Sequence, residues 1–428
     1  MNICVVGAGY VGLATSAGLS DWGNTVYCVD KDHWKISKLK KGKLTIFEPG
    51  LAELMSENIK ANRLFFYHSL PRALKNAEIV FLAVQTPPKT NGEVDLSYLM
   101  AAAQEVAQAL SKDAIIVNKS TAPPGTARKL QAIFDDTGYS CTVVVNPEFL
   151  REGSALEDVF HPDRVVIGAI EELASKKIAG LYQHLDTEIL QTDWESAELI
   201  KYASNGFLAM KISYANALSR LCDKCGANID MVTVGMGLDK RIGPDFLQAG
   251  LGYGGSCFPK DVSALVKWAE DVGYDFKLLK SVQEINATQI DFVLEGLVGT
   301  LGEDLAGKHL ALLGLAFKPH TDDIRESPAL KLAKLLDKKG CCLTGYDPHA
   351  MVNVAKVAPF IKLCPDIITT CKGVDAVLVL TDWSDFATLK LSELAEVVRN
   401  KVLIDARNLY NPSVVRRCGW TYWSVGRS

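Results

Sequence analysis

The chain has 428 residues, too many for one ordinary hydrophobic core and enough for two or three domains. Hydrophobic residues make up 48% and charged residues 22%, with a net charge of −4 and an isoelectric point near 6.0. That balance describes a soluble globular protein and excludes the broad basic face a nucleic-acid backbone requires. A few converging Lys and Arg side chains could still hold a small polyanion. No apolar run nears the ~18 residues of a membrane span.

The opening stretch, MNICVVGAGYVGL, has no basic leader region and no cleavage site, so it reads as mature sequence in a cytoplasmic setting. The cysteines, at 4, 28, 141, 222, 225, 257, 341, 342, 364, 371 and 418, follow no disulfide-framework spacing. Several sit inside apolar runs, where cysteine behaves as a small hydrophobe, and reduced thiols are expected.

Residues 2–7 form a short apolar strand that breaks into Gly7-Ala8-Gly9-Tyr10-Val11-Gly12 and then a helical pattern to about Trp22. A second strand, TVYCVD, ends at Asp30. Strand, GxGxxG turn, helix and an acidic residue some twenty positions on make a dinucleotide-binding fingerprint. Gly7 suits the tight turn, Gly9 the approach of a pyrophosphate and Gly12 close helix packing. Asp30 would bind a ribose 2′-hydroxyl and repel a 2′-phosphate, which favours NAD over NADP.

Further strands are expected at 78–84, 114–120, 141–146 and 164–169, separated mostly by helical patterns such as LSYLMAAAQEVAQALS and TARKLQAIFDD. The alternation predicts a doubly wound parallel sheet, which binds ligands beyond the carboxyl ends of its strands. Thr86-Pro87-Pro88, the Ser120–Thr126 segment and the Asn146–Gly153 segment lie there. Prolines and hydroxyls at strand ends are commonly turn chemistry, but three such loops on one edge favour a pocket.

From Thr192 the pattern changes. Thr192-Asp193-Trp194-Glu195 fits a capping box, and a helix is expected to run to Cys225 with Gly226 as its stop. It would be roughly 50 Å long, enough to span two domains. Lys201 and Asn205, four apart, share a face, although such a pair on a helix is ordinarily just solvated. Cys222 and Cys225 lack the further ligands zinc needs, so no metal site is expected.

Residues 227–300 look helical except around Gly250–Asp261, GLGYGGSCFPKD. Its glycines allow close backbone approach to a ligand, and they deliver Cys257 to a turn stiffened by Pro259. A nucleophilic cysteine needs nearby positive charge or a base, and Lys260 is one source. The alternative is a glycine-rich turn with an inert thiol. Beyond it, KHLALLGLAF, CCLTGYD, VDAVLVLTD and KVLIDARN predict a second, smaller α/β unit. It contains a helix capped by Ser327 with Pro328 at its first position, and its first turn lacks the full GxGxxG. The expected domains are 1–191, a dinucleotide-binding Rossmann-like domain; 192–300, helical; and 301–428, a second Rossmann-like domain.

GAGYVGL, FEPGL, KSTAPPGT, NPEFLREGSA, ESAELIKYASN, RIGPDFLQAGLGYGGSCFPKD and GLAFKPHTDDIRESPAL together resemble the UDP-glucose 6-dehydrogenase family, within the UDP-glucose and GDP-mannose dehydrogenases. The resemblance covers nearly the whole chain. It implies oxidation of the C6 alcohol of UDP-glucose to the carboxylate of UDP-glucuronate in two hydride transfers to NAD. Cys257 would carry the thiohemiacetal and thioester. Lys201 and Asn205 would stabilise oxyanions, with Asp261, Glu148 and Thr121 as candidates for acid–base work. The residue that takes the first proton stays open.

By the same resemblance, Gly7, Gly9, Val11, Gly12, Asp30 and Lys35 contact NAD, joined by Thr86, Thr121, Glu148, Lys260 and Arg325. The sugar nucleotide would meet Glu148, Phe149, Leu150, Arg151 and Glu152, then Lys201 and Asn205. It would also meet the loop Phe246, Leu247, Gln248, Ala249 and Gly250, with Gly254, Lys318 and Arg407. Arg241 could reach a neighbouring subunit's substrate, so a homo-oligomer of at least a two-fold dimer is implied, with the long helices at its interface. Ala122 and Pro124 stand where the family usually has valines. Competing readings are the same chemistry on GDP-mannose or UDP-N-acetylmannosamine, a single-step hydroxyacid dehydrogenase that does not need Cys257, and a non-catalytic sugar-nucleotide sensor.

Overall fold

The computed structural model describes residues 1–427, and the chain divides into two compact units, 1–204 and 205–428. The first unit is built on an eight-stranded sheet. Its strands are β1 (Asn2–Val6), β2 (Thr25–Val29), β3 (Leu64–Tyr67), β4 (Ile79–Leu82), β5 (Ala114–Asn118), β6 (Cys141–Val145), β7 (Arg164–Ala169) and β8 (Glu188–Thr192). They lie in the order β3-β2-β1-β4-β5-β6-β7-β8. The order reverses direction at β1, between β2 and β4, and there the Gly7–Gly12 turn sits at the carboxyl end of β1.

Alternation along β1 shows why the strand is apolar throughout. Ile3 and Val5 pack into one core layer and Cys4 and Val6 into the other, so both faces of the sheet are covered. Each such side chain contributes about 1.5–3 kcal/mol on burial.

The sheet is not wholly parallel. β7 pairs antiparallel with β6, Val144 opposite Ala169, and parallel with β8. The connection after β6 holds the six-residue helix Ala155–Phe160, and β7 starts at the end where β6 stops. Of the edge strands, β3 buries Leu64 and Phe66 on one face, whereas β8, EILQT, has no buried residue.

The second unit carries a six-stranded, all-parallel sheet: β9 (His309–Leu313), β10 (Cys342–Tyr346), β11 (Ile361–Leu363), β12 (Ala376–Val379), β13 (Val402–Asp405) and β14 (Thr421–Ser424). The order is β11-β10-β9-β12-β13-β14. Ser327 caps the helix Pro328–Lys338, accepting from the Leu330 N–H at 3.4 Å, as its Ser-Pro start predicts.

The long helix runs from Trp194 to Cys225, 32 residues. Its cap is Asp193, whose carboxylate accepts from the Ser196 N–H at 2.7 Å, and not Thr192. The box is displaced by one residue because aspartate already offers the acceptor. Residues through Ser204 belong to the first unit and those from Asn205 to the second. Gly226, at φ +75°, ends the helix by donating to Cys222 O at 2.8 Å.

Candidate active site

In the first unit, a Cβ on Gly9 would meet nothing within 4 Å, and the helix Tyr10–Asp21 that it precedes has no side-chain cap. Open space before an uncapped helix N-terminus is a cradle for a phosphate group. A Cβ on Gly12 would lie 1.8 Å from Gly7 O, so the helix rests on the turn where only glycine fits. We expect Gly12→Ala to lose about 1–3 kcal/mol of stability and most of its dinucleotide affinity, read by denaturant unfolding and NADH fluorescence titration.

Asp30 accepts from the N–H groups of Ala8 and Asp32, each at 2.9 Å, and pairs with Lys35 at 3.2 Å. Partial burial pushes its carboxyl up, but these donors and the Lys35 charge outweigh it and hold the group below its ordinary range. It therefore presents a fixed negative charge, suited to ribose hydroxyls and hostile to a 2′-phosphate. The turn, the open helix end and Asp30 fit NAD. Bound there, NAD would supply a hydride acceptor. Val11, partly buried, packs beside the turn.

At the carboxyl edge of the same sheet, Thr86 Oγ1 donates to Thr121 O at 2.9 Å, joining two of the predicted loops. Glu148 and Lys201 form a buried ion pair at 3.2 Å, with side chains 7% and 5% exposed. Glu148 also accepts from the Leu150 N–H at 2.6 Å. Burial raises its carboxyl, but the Lys201 charge and that N–H prevail, and the group stays ionised below its ordinary value. Lys201 also stands 5.3 Å from the Phe149 ring centroid. Leu150 and Glu152 are half-buried, whereas Arg151 is exposed and bound to Asp158.

A third charge, absent from the sequence reading, completes this cluster. Lys119 is buried at the end of β5 and donates to Asn146 Oδ1 at 3.0 Å, which also accepts from Tyr182 Oη at 2.7 Å. Burial lowers the Lys119 ammonium to about 8; Glu148 opposes the shift and Lys201 adds to it. KST at a strand end hinted at this lysine, but nothing local distinguishes a buried amine from a solvated one.

In the second unit, Cys257 is half-buried at the N-cap of the helix Phe258–Asp271, which has Pro259 in its first turn. The partial positive charge of a helix N-terminus favours a thiolate. Buried thiols elsewhere are pushed the other way by desolvation, Cys28 and Cys371 up to about 12 and Cys341 to about 11. Within the first turn after Cys257, Asp261 is 1% exposed, accepts from Asn205 Nδ2 at 2.6 Å and pairs with Lys260. Asn205 and Asp261 are thus brought together, and Asn205 follows Lys201 one turn along the helix.

The glycine loop is held by residues the sequence reading missed. Asn216 Oδ1 accepts from the Gly250 N–H at 2.8 Å, and Gln289 Nε2 donates to Gly250 O at 2.8 Å. Asn286 bonds both polar groups of the Tyr253 backbone, at 2.8 and 3.1 Å. A Cβ on Gly254 would fall 2.3 Å from Glu326 O, and one on Gly255 would strike the Phe317 ring at 2.6 Å. Phe246, at φ +62°, carries left-handed backbone at the start of the loop, a strain that only local over-determination sustains. Leu247, Ala249 and Gly250 are buried, and Gln248 is exposed. Arg407 Nε donates to Leu380 O at 2.8 Å, with its Cδ 3.6 Å from where a Gly250 Cβ would stand. Lys318, half-buried, lies 5.7 Å from the Phe317 ring centroid.

Arg241 is exposed and paired with Asp239, whereas Arg325, paired with Asp323, borders the glycine loop, its carbonyl accepting from the Gly255 N–H at 3.0 Å. The second sheet also differs from a dinucleotide site. Its first-turn amides, Leu315 and Ala316, already donate to the fully buried Asp347, at 2.8 and 2.9 Å. Among the described residues no group of three or more His, Cys, Asp or Glu gathers as a metal site, and no helix is long and apolar enough to cross a membrane.

An NAD cradle on a Rossmann sheet, beside a buried lysine–glutamate pair, defines an NAD-dependent dehydrogenase. Three models of one family match in succession: the NAD binding domain over residues 1–186, the central domain over 195–288 and the UDP binding domain over 311–412. The chain belongs to the UDP-glucose/GDP-mannose dehydrogenase family. It is 44% identical to UDP-glucose 6-dehydrogenase YwqF of Bacillus subtilis, over all of this chain and 98% of that one. The structure of a UDP-glucose dehydrogenase from Pyrobaculum islandicum superposes with a TM-score of 0.90 at 38% identity, covering 95% of this chain and 94% of that one. A UDP-D-ManNAc dehydrogenase from Pyrococcus horikoshii gives 0.88 at 26% identity, over 100% and 99%.

Proposed function

We propose that this protein oxidises UDP-glucose at C6 to UDP-glucuronate, in two steps, with Cys257 as the covalent nucleophile. The observation that carries the reading is the placement of Cys257 at a helix N-terminus, one turn before the Asp261–Asn205–Lys260 group. At each oxidation a bound NAD would supply the acceptor for the hydride that leaves the substrate carbon. The alcohol becomes an aldehyde, losing its hydroxyl proton to a base among Glu148, Asp261 and a water held by Thr121. The Cys257 thiolate then adds to the aldehyde carbon, and the oxyanion takes a proton to give a thiohemiacetal. Loss of that proton and of the remaining hydride leaves a thioester. Water attacks it and expels the thiolate, giving the carboxylate.

Lys201 and Asn205 are assigned to the oxyanions, where preorganised donors act most strongly. The buried carboxylates Glu148 and Asp261 partner these donors and are assigned to proton transfer. Phe149, Arg151, Glu152, the Phe246–Gly250 loop, Gly254, Lys318 and Arg407 are assigned to the sugar nucleotide; Thr86, Lys260 and Arg325 to NAD. We assign residues 1–191, 192–300 and 301–428 to three functional domains and place the protein in the cytoplasm.

Phe207, Tyr214 and Leu221, spaced seven apart on the long helix, are each more than half exposed. Such a stripe supports a second copy as its occupant, as a homodimer to which Arg241 contributes. The substrate assignment is tested by NADH formation with UDP-glucose, GDP-mannose and UDP-N-acetylmannosamine in parallel. UDP-glucose is expected to give the highest kcat/KM by about 100-fold or more, the loss expected when buried polar groups meet the wrong sugar. Preference for either other nucleotide would overturn the assignment.

A further inference from the structure

The first unit holds a buried carboxylate that the chemistry above leaves unused. Glu198 lies on the long helix one turn before Lys201 and is 3% exposed. Its Oε2 accepts from the Gly125 N–H and its Oε1 from the Ala127 N–H, both at 2.7 Å. Those amides open the helix Thr126–Asp135, whose N-cap is Gly125 at φ +92° and has no side chain to offer. Glu198 is therefore a cap delivered from another helix, its two oxygens accepting the free amides of the helix N-terminus.

The segment that this cap holds begins at Thr121. Ala122-Pro123-Pro124 separates Thr121 from Gly125, and two successive prolines fix φ, so a shift at Gly125 is transmitted and not absorbed. The other end of the segment is tied separately: Ser120 Oγ donates to Val84 O at 2.8 Å, and Thr86 Oγ1 to Thr121 O at 2.9 Å. The loop is thus a stiff strut pinned at the sheet by Ser120 and Thr86, and at the long helix by Glu198. Burial pushes the Glu198 carboxyl up to about 7, the two N–H donors pulling against it and Glu195 adding to it. A site that disfavours its own charge is a poor choice for stability alone.

We propose that Glu198 is a positioning residue for the cofactor: it pins the proline strut and so places Thr121 and Thr86 against NAD, in register with Lys201 one turn away. The inference rests on the reading of Thr86 and Thr121 as NAD contacts. The test uses the full-length protein as wild type, Glu198→Gln and Glu198→Ala. NADH binding is titrated by fluorescence without any sugar nucleotide, and thermal unfolding is followed in parallel. Glu198→Ala is expected to weaken NADH binding about tenfold or more, the scale of lost preorganisation. Glu198→Gln keeps one acceptor and its shape, and should fall between the two.

Unchanged NADH affinity in the folded variants, with only a lowered unfolding midpoint, would make Glu198 a structural cap and overturn the proposal. So would equal affinity in Glu198→Gln and wild type. Because binding is read without turnover, failure of the wild type to oxidise UDP-glucose would sink the substrate assignment and leave this result standing.

Discussion

Cys257→Ser is expected to stop the reaction at the aldehyde, lowering kcat by at least about 10³-fold. A serine hydroxyl is a far weaker nucleophile than a thiol at neutral pH. The first hydride transfer needs no covalent bond to the protein. The variant, given the sugar-nucleotide aldehyde and NADH, should therefore still form the alcohol. That retained half-reaction separates a lost nucleophile from a collapsed site. A variant that completes the oxidation at near wild-type rate would remove Cys257 from the mechanism. The glycine loop would then be a structural turn, and the single-step dehydrogenase reading would take its place.

Lys201→Met is expected to cost both rate and stability. Removing one preorganised oxyanion donor lowers kcat by about 10²–10³-fold. It also strands Glu148, whose carboxylate keeps the Leu150 N–H but loses the ammonium at 3.2 Å. Breaking a buried pair from one side destabilises by about 3–5 kcal/mol at neutral pH, less whatever proton uptake by Glu148 recovers. The pH dependence follows in sign. In the wild type Glu148 titrates below its ordinary value of 4.5. Its contribution to stability is therefore present above that value and is lost as pH falls through the lowered one. Without Lys201 burial dominates, the carboxyl moves up, and the acid limb of the stability profile should shift to higher pH. Denaturant unfolding between pH 3 and pH 8, intervals chosen about these carboxylate values, checks the shift. An unmoved profile would mean that the pair contributes nothing.

The parts legible in the sequence are those whose chemistry is local. Gly7, Gly9 and Gly12 mark a turn because three glycines fall within six residues between a strand and a helix, and Ser327-Pro328 marks a helix start by equally local chemistry. β1 and β9 announce themselves because burial on two faces demands an unbroken apolar run. The rest depends on contacts far apart in sequence. Glu198 reaches Gly125 and Ala127 across some seventy residues. Asn216, Asn286 and Gln289 look like ordinary helix residues until the glycine loop folds onto them. The antiparallel entry of β7 beside β6 is encoded by no pattern within the strand. At the cap of the long helix, Thr192 and Asp193 both qualify by type, and only backbone geometry selects Asp193.

The central claim is a four-electron oxidation that passes through the sulfur of Cys257. Its most direct test is the amount of NADH formed per UDP-glucose consumed, with NAD in excess and the reaction run to completion. Two NADH per sugar nucleotide, with UDP-glucuronate as product, is the predicted result. One NADH per sugar nucleotide, with a free aldehyde accumulating, would contradict the account.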